Sequence, residues 1–140
     1  MGELLKFHFD VDGDSFTSAG AASVEIKKKL RQLGFPAEII RKVSIAMYEG
    51  EINMVVHARG GKADVIVDDD DITIILTDTG PGIPDIDLAM QEGYSTAPDN
   101  IRALGFGAGM GLPNMKRYTD KLHIESEVGK GTTVTMKVKI

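Results

Sequence analysis

Gly105-Phe106-Gly107-Ala108-Gly109-Met110-Gly111-Leu112, read together with the earlier Asp78-Thr79-Gly80-Pro81-Gly82, decides how this chain folds. Glycine supplies backbone where a side chain would stand in the way. Two such segments in 140 residues, the first headed by an acid, predict a chain that closes around a ligand, with a nucleotide as the expected occupant. The common nucleotide loops fail on spacing. A dinucleotide G-x-G-x-x-G begun at Gly105 puts Met110 where its last glycine belongs, and begun at Gly107 or Gly109 it ends on Leu112 or Asn114. A phosphate loop of the G-K-[ST] type is absent, since Gly61-Lys62 runs into Ala63 and Gly129-Lys130 into Gly131.

Working outward, 140 residues with 42% hydrophobic and 6% aromatic content suit one soluble domain, 1–140, with a single core. A net charge of −5 argues against non-specific nucleic-acid binding, because the only basic run is Lys27-Lys28-Lys29-Leu30-Arg31, expected to be a solvated helix face. Without cysteine there are no disulfides, thiol chemistry or Cys-based zinc sites. The start, Met1 to Lys6, lacks a signal peptide's basic-then-apolar build, and Lys6 breaks the myristoylation pattern. Apolar runs fall short of a membrane span, so the expected address is the cytoplasm, with no membrane partner.

Leu5, Phe7 and Phe9 alternate with Lys6 and His8, which predicts a first strand. Asp10, Asp12 and Asp14 begin like a calcium loop, but Ser15 and Ala21 stand where its glycine and final glutamate belong, so a turn into a helix near Ser15 is expected. That helix breaks at Gly34. A second opens at Pro36, carries Ile39, Ile40, Val43, Ala46 and Met47 as an apolar stripe, and ends at about Ala58 before Gly60-Gly61. Ala63 to Asp68 and Ile72 to Asp78 read as strands joined by a solvated turn, Asp68 to Asp71. After a short helical pattern from Ile86 to about Gln91, the polar, glycine-rich stretch to Gly111 has no periodicity; a loop of that length inside a small domain predicts a lid, about residues 89–111. Leu112 to Thr119 opens another helix. Leu122 to Val128 and Thr133 to Ile140 close a hairpin across Gly129-Lys130-Gly131, with Val134, Met136, Val138 and Ile140 on one face. The expected architecture is an α+β two-layer sandwich, its sheet mixed but mostly antiparallel, with helices on one face.

Glu49 and Asn53 are four apart on the second helix and project from one face. A carboxylate beside an amide oxygen suits a hydroxyl to be deprotonated next to magnesium, which prefers hard oxygen ligands; the same pair equally makes the polar side of an amphipathic helix. Asp78 ends an apolar strand, where its carboxylate can accept from adenine's exocyclic amine, or simply serve the turn before Gly80. Gly107, Gly109 and Gly111 lead to a helix N-terminus fit for phosphate oxygens, to which Lys116, Arg117 or Arg102 would add positive charge. His8, His57 and His123 share no local metal spacing; His57 falls on the Asn53 face but reads as packing or surface.

The order Glu49-x-x-x-Asn53, Asp78-x-Gly80-x-Gly82, Gly105 to Gly111, then Gly129-x-Gly131-Thr132 resembles the N box and three glycine boxes of the GHKL ATPase superfamily, shared by gyrase, Hsp90, MutL and histidine kinases. The resemblance spans nearly the whole chain and implies that superfamily's Bergerat ATP-binding fold. Glu92-Gly93-Tyr94-Ser95-Thr96-Ala97-Pro98 and Gly105 to Lys116 are most similar to the switch kinases of stressosome-type pathways, within the small bacterial serine-protein kinases and anti-sigma factors. The resemblance implies ATP and Mg2+ as cofactors, Glu49 as catalytic base, Asn53 as magnesium ligand, Asp78 as adenine reader and Thr132 as a second contact near the base. It implies further nucleotide contacts at Gly80, Gly82, Ile83, Gly105, Gly107, Ala108, Gly109, Met110, Gly111, Leu112 and Arg102. Sporulation-type relatives carry an arginine just before Gly-Met-Gly; here Gly107 and Ala108 stand there, and Arg102 lies further upstream. The implied activity is phosphorylation of a serine or threonine on a STAS-domain protein, with a sigma factor or downstream phosphatase as further partners and a homodimer as an assembly. The alternatives are a nucleotide-dependent anti-sigma factor and a simple ATPase.

Overall fold

Strict alternation of apolar and polar residues forces each strand to show one face to a core and the other to water. A computed structural model of the chain describes residues 5–12, 20–58, 60–83, 90 and 111–140. Five strands, β1 (Leu5–Asp12), β2 (Gly60–Val67), β3 (Asp71–Asp78), β4 (Lys121–Glu127) and β5 (Gly131–Lys139), form one sheet in the order β1-β2-β3-β5-β4. Every pairing among them is antiparallel, in keeping with the mostly antiparallel sheet expected. The helices among the described residues are α1 (Ala21–Gln32), α2 (Ala37–Ala58) and α3 (Gly111–Arg117).

Register explains the core. Leu5, Val67, Ile72 and Val138 lie abreast across the sheet, then Phe7, Val65, Ile74, Met136 and Leu122, then Phe9, Ala63, Leu76, Val134 and Ile124. These rows meet Val43, Ala46 and Met47 from the apolar stripe of α2, and Ile26 and Leu30 from α1, all buried in one cluster. The basic run Lys27 to Lys29 and Arg31 is exposed while Leu30 points inward, as its pattern predicts.

α2 packs tightly against the sheet at Gly50, where an added Cβ would overlap Leu76 Cδ1 and come within 3.4 Å of Met115 Sδ. Leu76 and Met115 are buried and have little room to yield. Gly50→Val is expected to lower stability by about 1–3 kcal/mol through overpacking, read as a lower urea midpoint at unchanged slope; an unchanged midpoint would show that α2 tolerates a wider spacing.

Several boundaries differ from expectation, each for a local reason. The helix that reaches Gln32 starts at Ala21, because Gly20 has φ 96°, outside helical space, and the start expected near Ser15 lies outside the described residues. Residues 13–19 lie outside the described set. Gly60 and Gly61, expected only to end α2, already pair as strand with Asp12 and Val11. Ile140 is 49% exposed although Val134, Met136 and Val138 are buried, since β5 ends at Lys139. The acidic run is a turn as read: Asp68 Oδ1 accepts the N–H groups of Asp70 and Asp71, both at 2.8 Å. Those bonds, Asp71's first, hold its carboxyl below the usual range.

Candidate functional site

The three apolar rows are followed, at one end of the sheet, by a polar one. Asp78 on β3 pairs with Thr132 on β5, which pairs with Ser126 on β4, and period two places all three on the same face as Leu76, Val134 and Ile124. Asp78 Oδ1 accepts the Gly80 N–H at 3.0 Å and the Thr132 N–H at 3.2 Å. Oδ2 takes no hydrogen bond among the described residues. Ser126 Oγ accepts the Ile83 N–H at 2.7 Å and lies 2.9 Å from Thr132 Oγ1. The Gly129 N–H donates to the Pro81 carbonyl at 2.9 Å. The loop Thr79–Ile83 is thus strapped over the β4–β5 hairpin through Pro81 and Ile83. That seating needs backbone without side chains: Gly82 has φ 80°, and a Cβ on Gly131, φ 135°, would overlap the Asp78 carbonyl oxygen. Asp78, Ser126, Lys130, Gly131 and Thr132 are among the residues lining a depression of about 330 Å³ here, and Glu49 is outside it.

Glu49 and Asn53 are both half-buried, one turn apart on α2. The Asn114 side-chain amide on α3 donates to Glu49 Oε1 at 3.3 Å. Burial raises the Glu49 carboxyl above the usual range, and the Asn114 bond offsets part of that rise. A carboxylate so placed is more basic than one in water. Hard oxygen donors on one helix face also suit a cation that keeps most of its waters. Among the described residues no group of three or more His, Cys, Asp or Glu could hold a metal by itself.

The described structure therefore brings Asp78, Gly80, Gly82, Ile83 and Thr132 together at the sheet end, with Glu49 and Asn53 on α2. Gly111 and the buried Leu112 open α3. Arg102, Gly105, Gly107, Ala108, Gly109 and Met110, most of the expected lid over 89–111 and the helical pattern from Ile86 to Gln91 lie outside the described residues, as does the side chain of His57.

Three residues escaped the sequence. Ser126 was findable, because the same alternation that turns Leu122 and Ile124 inward turns Ser126 inward too. Glu51 stands on the stripe of Met47 and Val55, four residues from each, which on an apolar face marks a buried carboxylate. It is 2% exposed. Its Oε2 accepts the N–H groups of Gly20 at 2.7 Å and Ala22 at 3.2 Å, and its Oε1 accepts that of Ser23 at 3.0 Å. It is an N-terminal cap for α1 supplied by α2, where Gly20 has no side chain to give. Asn114 carried no local signal.

Residues 38–140 match the family described as histidine kinase-, DNA gyrase B-, and HSP90-like ATPase. The chain belongs to this ATPase family. As a histidine kinase-, gyrase- and Hsp90-like ATPase domain it binds ATP, and its sheet-and-helix arrangement is that of the GHKL fold. An anti-sigma F factor of Clostridium acetobutylicum is 33% identical over 140 residues, covering 96% of this chain and 91% of the relative. One from Clostridium novyi is 35% identical over 125 residues, covering 85% and 84%. The solved RsbU and RsbW domains of Rv1364c from Mycobacterium tuberculosis superpose with a TM-score of 0.65 over 96% of this chain and 32% of that one, at 16% identity, which speaks for the fold alone. Among the described residues no helix of this ATPase domain is long and apolar enough to cross a membrane.

Proposed function

We propose that this ATPase-family protein is an ATP-dependent protein-serine/threonine kinase that acts on a STAS-domain partner in a bacterial partner-switching pathway of sigma-factor control. The observation that carries it is the half-buried Glu49 carboxylate, oriented by Asn114 one helical turn from Asn53.

In this mechanism Asp78 Oδ2 accepts from the adenine amine while Oδ1 stays committed to the loop and β5. The glycine segment ending at Gly111, with Arg102, surrounds the phosphates. Glu49 takes the proton of a serine or threonine hydroxyl as its oxygen bonds to the γ-phosphorus; the bond from that phosphorus to the β,γ-bridging oxygen breaks, and ADP leaves with the electron pair. Little covalent help is needed, since phosphoryl transfer depends on positioning and charge neutralisation. Asn53, a hard oxygen donor, would hold Mg2+, which neutralises phosphate charge when bound. Such a protein works in the cytoplasm.

Asp78→Asn tests the base contact. The amide oxygen must serve Gly80 and Thr132, which turns the NH2 toward the adenine amine, donor against donor. ATP binding is expected to weaken roughly ten- to hundredfold, the scale of a hydrogen bond to a charged group, measured by titration calorimetry; an unchanged Kd would remove Asp78 from base recognition.

The relatives named anti-sigma F factor favour a second reading equally well, a nucleotide-dependent anti-sigma factor that holds a sigma subunit. Turnover of ATP with and without a purified STAS-domain protein, beside transcription with the sigma factor of the same organism, tests both. Stoichiometric ADP release that needs the STAS protein supports the kinase. Blocked transcription without transfer supports the anti-sigma factor, and rapid turnover with neither partner supports a simple ATPase.

A further inference from the structure

Ser126 meets three partners with a single proton to give. Its Oγ accepts the Ile83 N–H at 2.7 Å, lies 3.2 Å from the Gly131 carbonyl oxygen, and lies 2.9 Å from Thr132 Oγ1. A backbone N–H only donates and a carbonyl only accepts, whereas a hydroxyl has one proton and two lone pairs. The Gly131 contact therefore takes the Ser126 proton, and the Ile83 contact takes one lone pair. The remaining lone pair accepts the Thr132 hydroxyl. This assignment alone satisfies all three contacts together.

The consequence falls on Thr132, which is 8% exposed and lines the depression beside Asp78. Its backbone N–H is committed to Asp78 Oδ1 and its hydroxyl proton to Ser126, so it shows the pocket only lone pairs. Asp78 Oδ2 likewise only accepts. A wall of two acceptors suits a group with two N–H bonds to offer and repels another acceptor.

We infer that Ser126 is a specificity-determining residue for the purine: by accepting the Thr132 proton it makes the Asp78–Thr132 wall acceptor-only, selecting a 6-amino purine over a 6-oxo purine. Adenine's N6 offers two N–H bonds, whereas a 6-oxo base turns an oxygen toward the same wall. The inference rests on the reading of Asp78 as the base contact. Ser126 acts through Thr132 and is a positioning residue.

The test is calorimetric titration of the intact protein and its Ser126→Ala form with ATP, ITP and N6-methyl-ATP. The parent is expected to prefer ATP over ITP by roughly a hundredfold, and over N6-methyl-ATP, which has lost one N–H, by roughly tenfold. In Ser126→Ala the Thr132 hydroxyl is free to turn and donate, so the ITP-to-ATP ratio of Kd values is expected to fall about tenfold. A merely structural serine would weaken both nucleotides alike, and an unchanged ratio in a folded variant would overturn the inference while leaving ATP binding by Asp78 intact. Absence of any ATP preference in the parent would overturn both. Should Ser126→Ala fail to fold, the parent alone decides: N6-methyl-ATP bound as tightly as ATP would overturn the two-acceptor wall, and a tenfold loss supports it.

Discussion

Replacing Glu51 by alanine is expected to destabilise the protein by about 3–5 kcal/mol, a large part of the 5–15 kcal/mol that holds an ordinary domain together. The truncation strands three backbone N–H groups, those of Gly20, Ala22 and Ser23, at a site where the carboxylate is 2% exposed. Each orphaned donor costs roughly 1–3 kcal/mol, less whatever an entering water recovers. Glu51→Gln should fall between: its amide oxygen still accepts from Gly20 and Ala22, but its NH2 meets the Ser23 N–H donor to donor. The order Glu, Gln, Ala in urea midpoints is the signature. An alanine variant within about 1 kcal/mol of the parent would show that α1 does not depend on this cap.

Glu49→Gln is expected to slow phosphoryl transfer roughly 10²- to 10⁴-fold, the usual scale for a general base, with the Kd for ATP little changed. The amide keeps its oxygen for Asn114 and loses only the ability to take a proton. Equal losses of binding and transfer would contradict a catalytic role. Because burial, only partly offset by Asn114, raises the Glu49 carboxyl, the rate should fall with pH at a value above the ordinary carboxylate range. Stability has the opposite sign. The folded protein holds the Glu49 proton more tightly than the unfolded chain, so this group favours folding below the unfolded value, and that contribution disappears as pH rises through the folded value. Glu49→Gln should therefore melt no lower than the parent at pH 8, with any advantage fading as the pH falls through the carboxylate range. Thermal melts at both ends check this, and a less stable variant at pH 8 would refute it.

Much of the fold was legible because its signals are local. Alternation in Leu5 to Phe9, Ala63 to Val67 and Val134 to Val138 defines strands whatever surrounds them, and the α2 stripe from Ile40 to Met47 needs only a period of 3.6. The order of the glycine motifs pointed to the ATPase family before any coordinates. Contacts across the chain were not legible. Glu51 reaches back to Gly20 and Asn114 reaches over to Glu49, pairs separated by 31 and 65 residues. No window holds both members of either pair. The cap of α1 escaped for the same reason, since it comes from another helix, whereas Ser126 was missed despite an alternation that exposed it.

The most direct measurement is intact-mass spectrometry of a STAS-domain protein from the same organism after incubation with Mg-ATP and either this protein or its Glu49→Gln form. The account predicts one added phosphate on the STAS protein with the parent and almost none with the variant. An unmodified STAS protein in the presence of a parent that binds ATP, or equal modification by both forms, would contradict it.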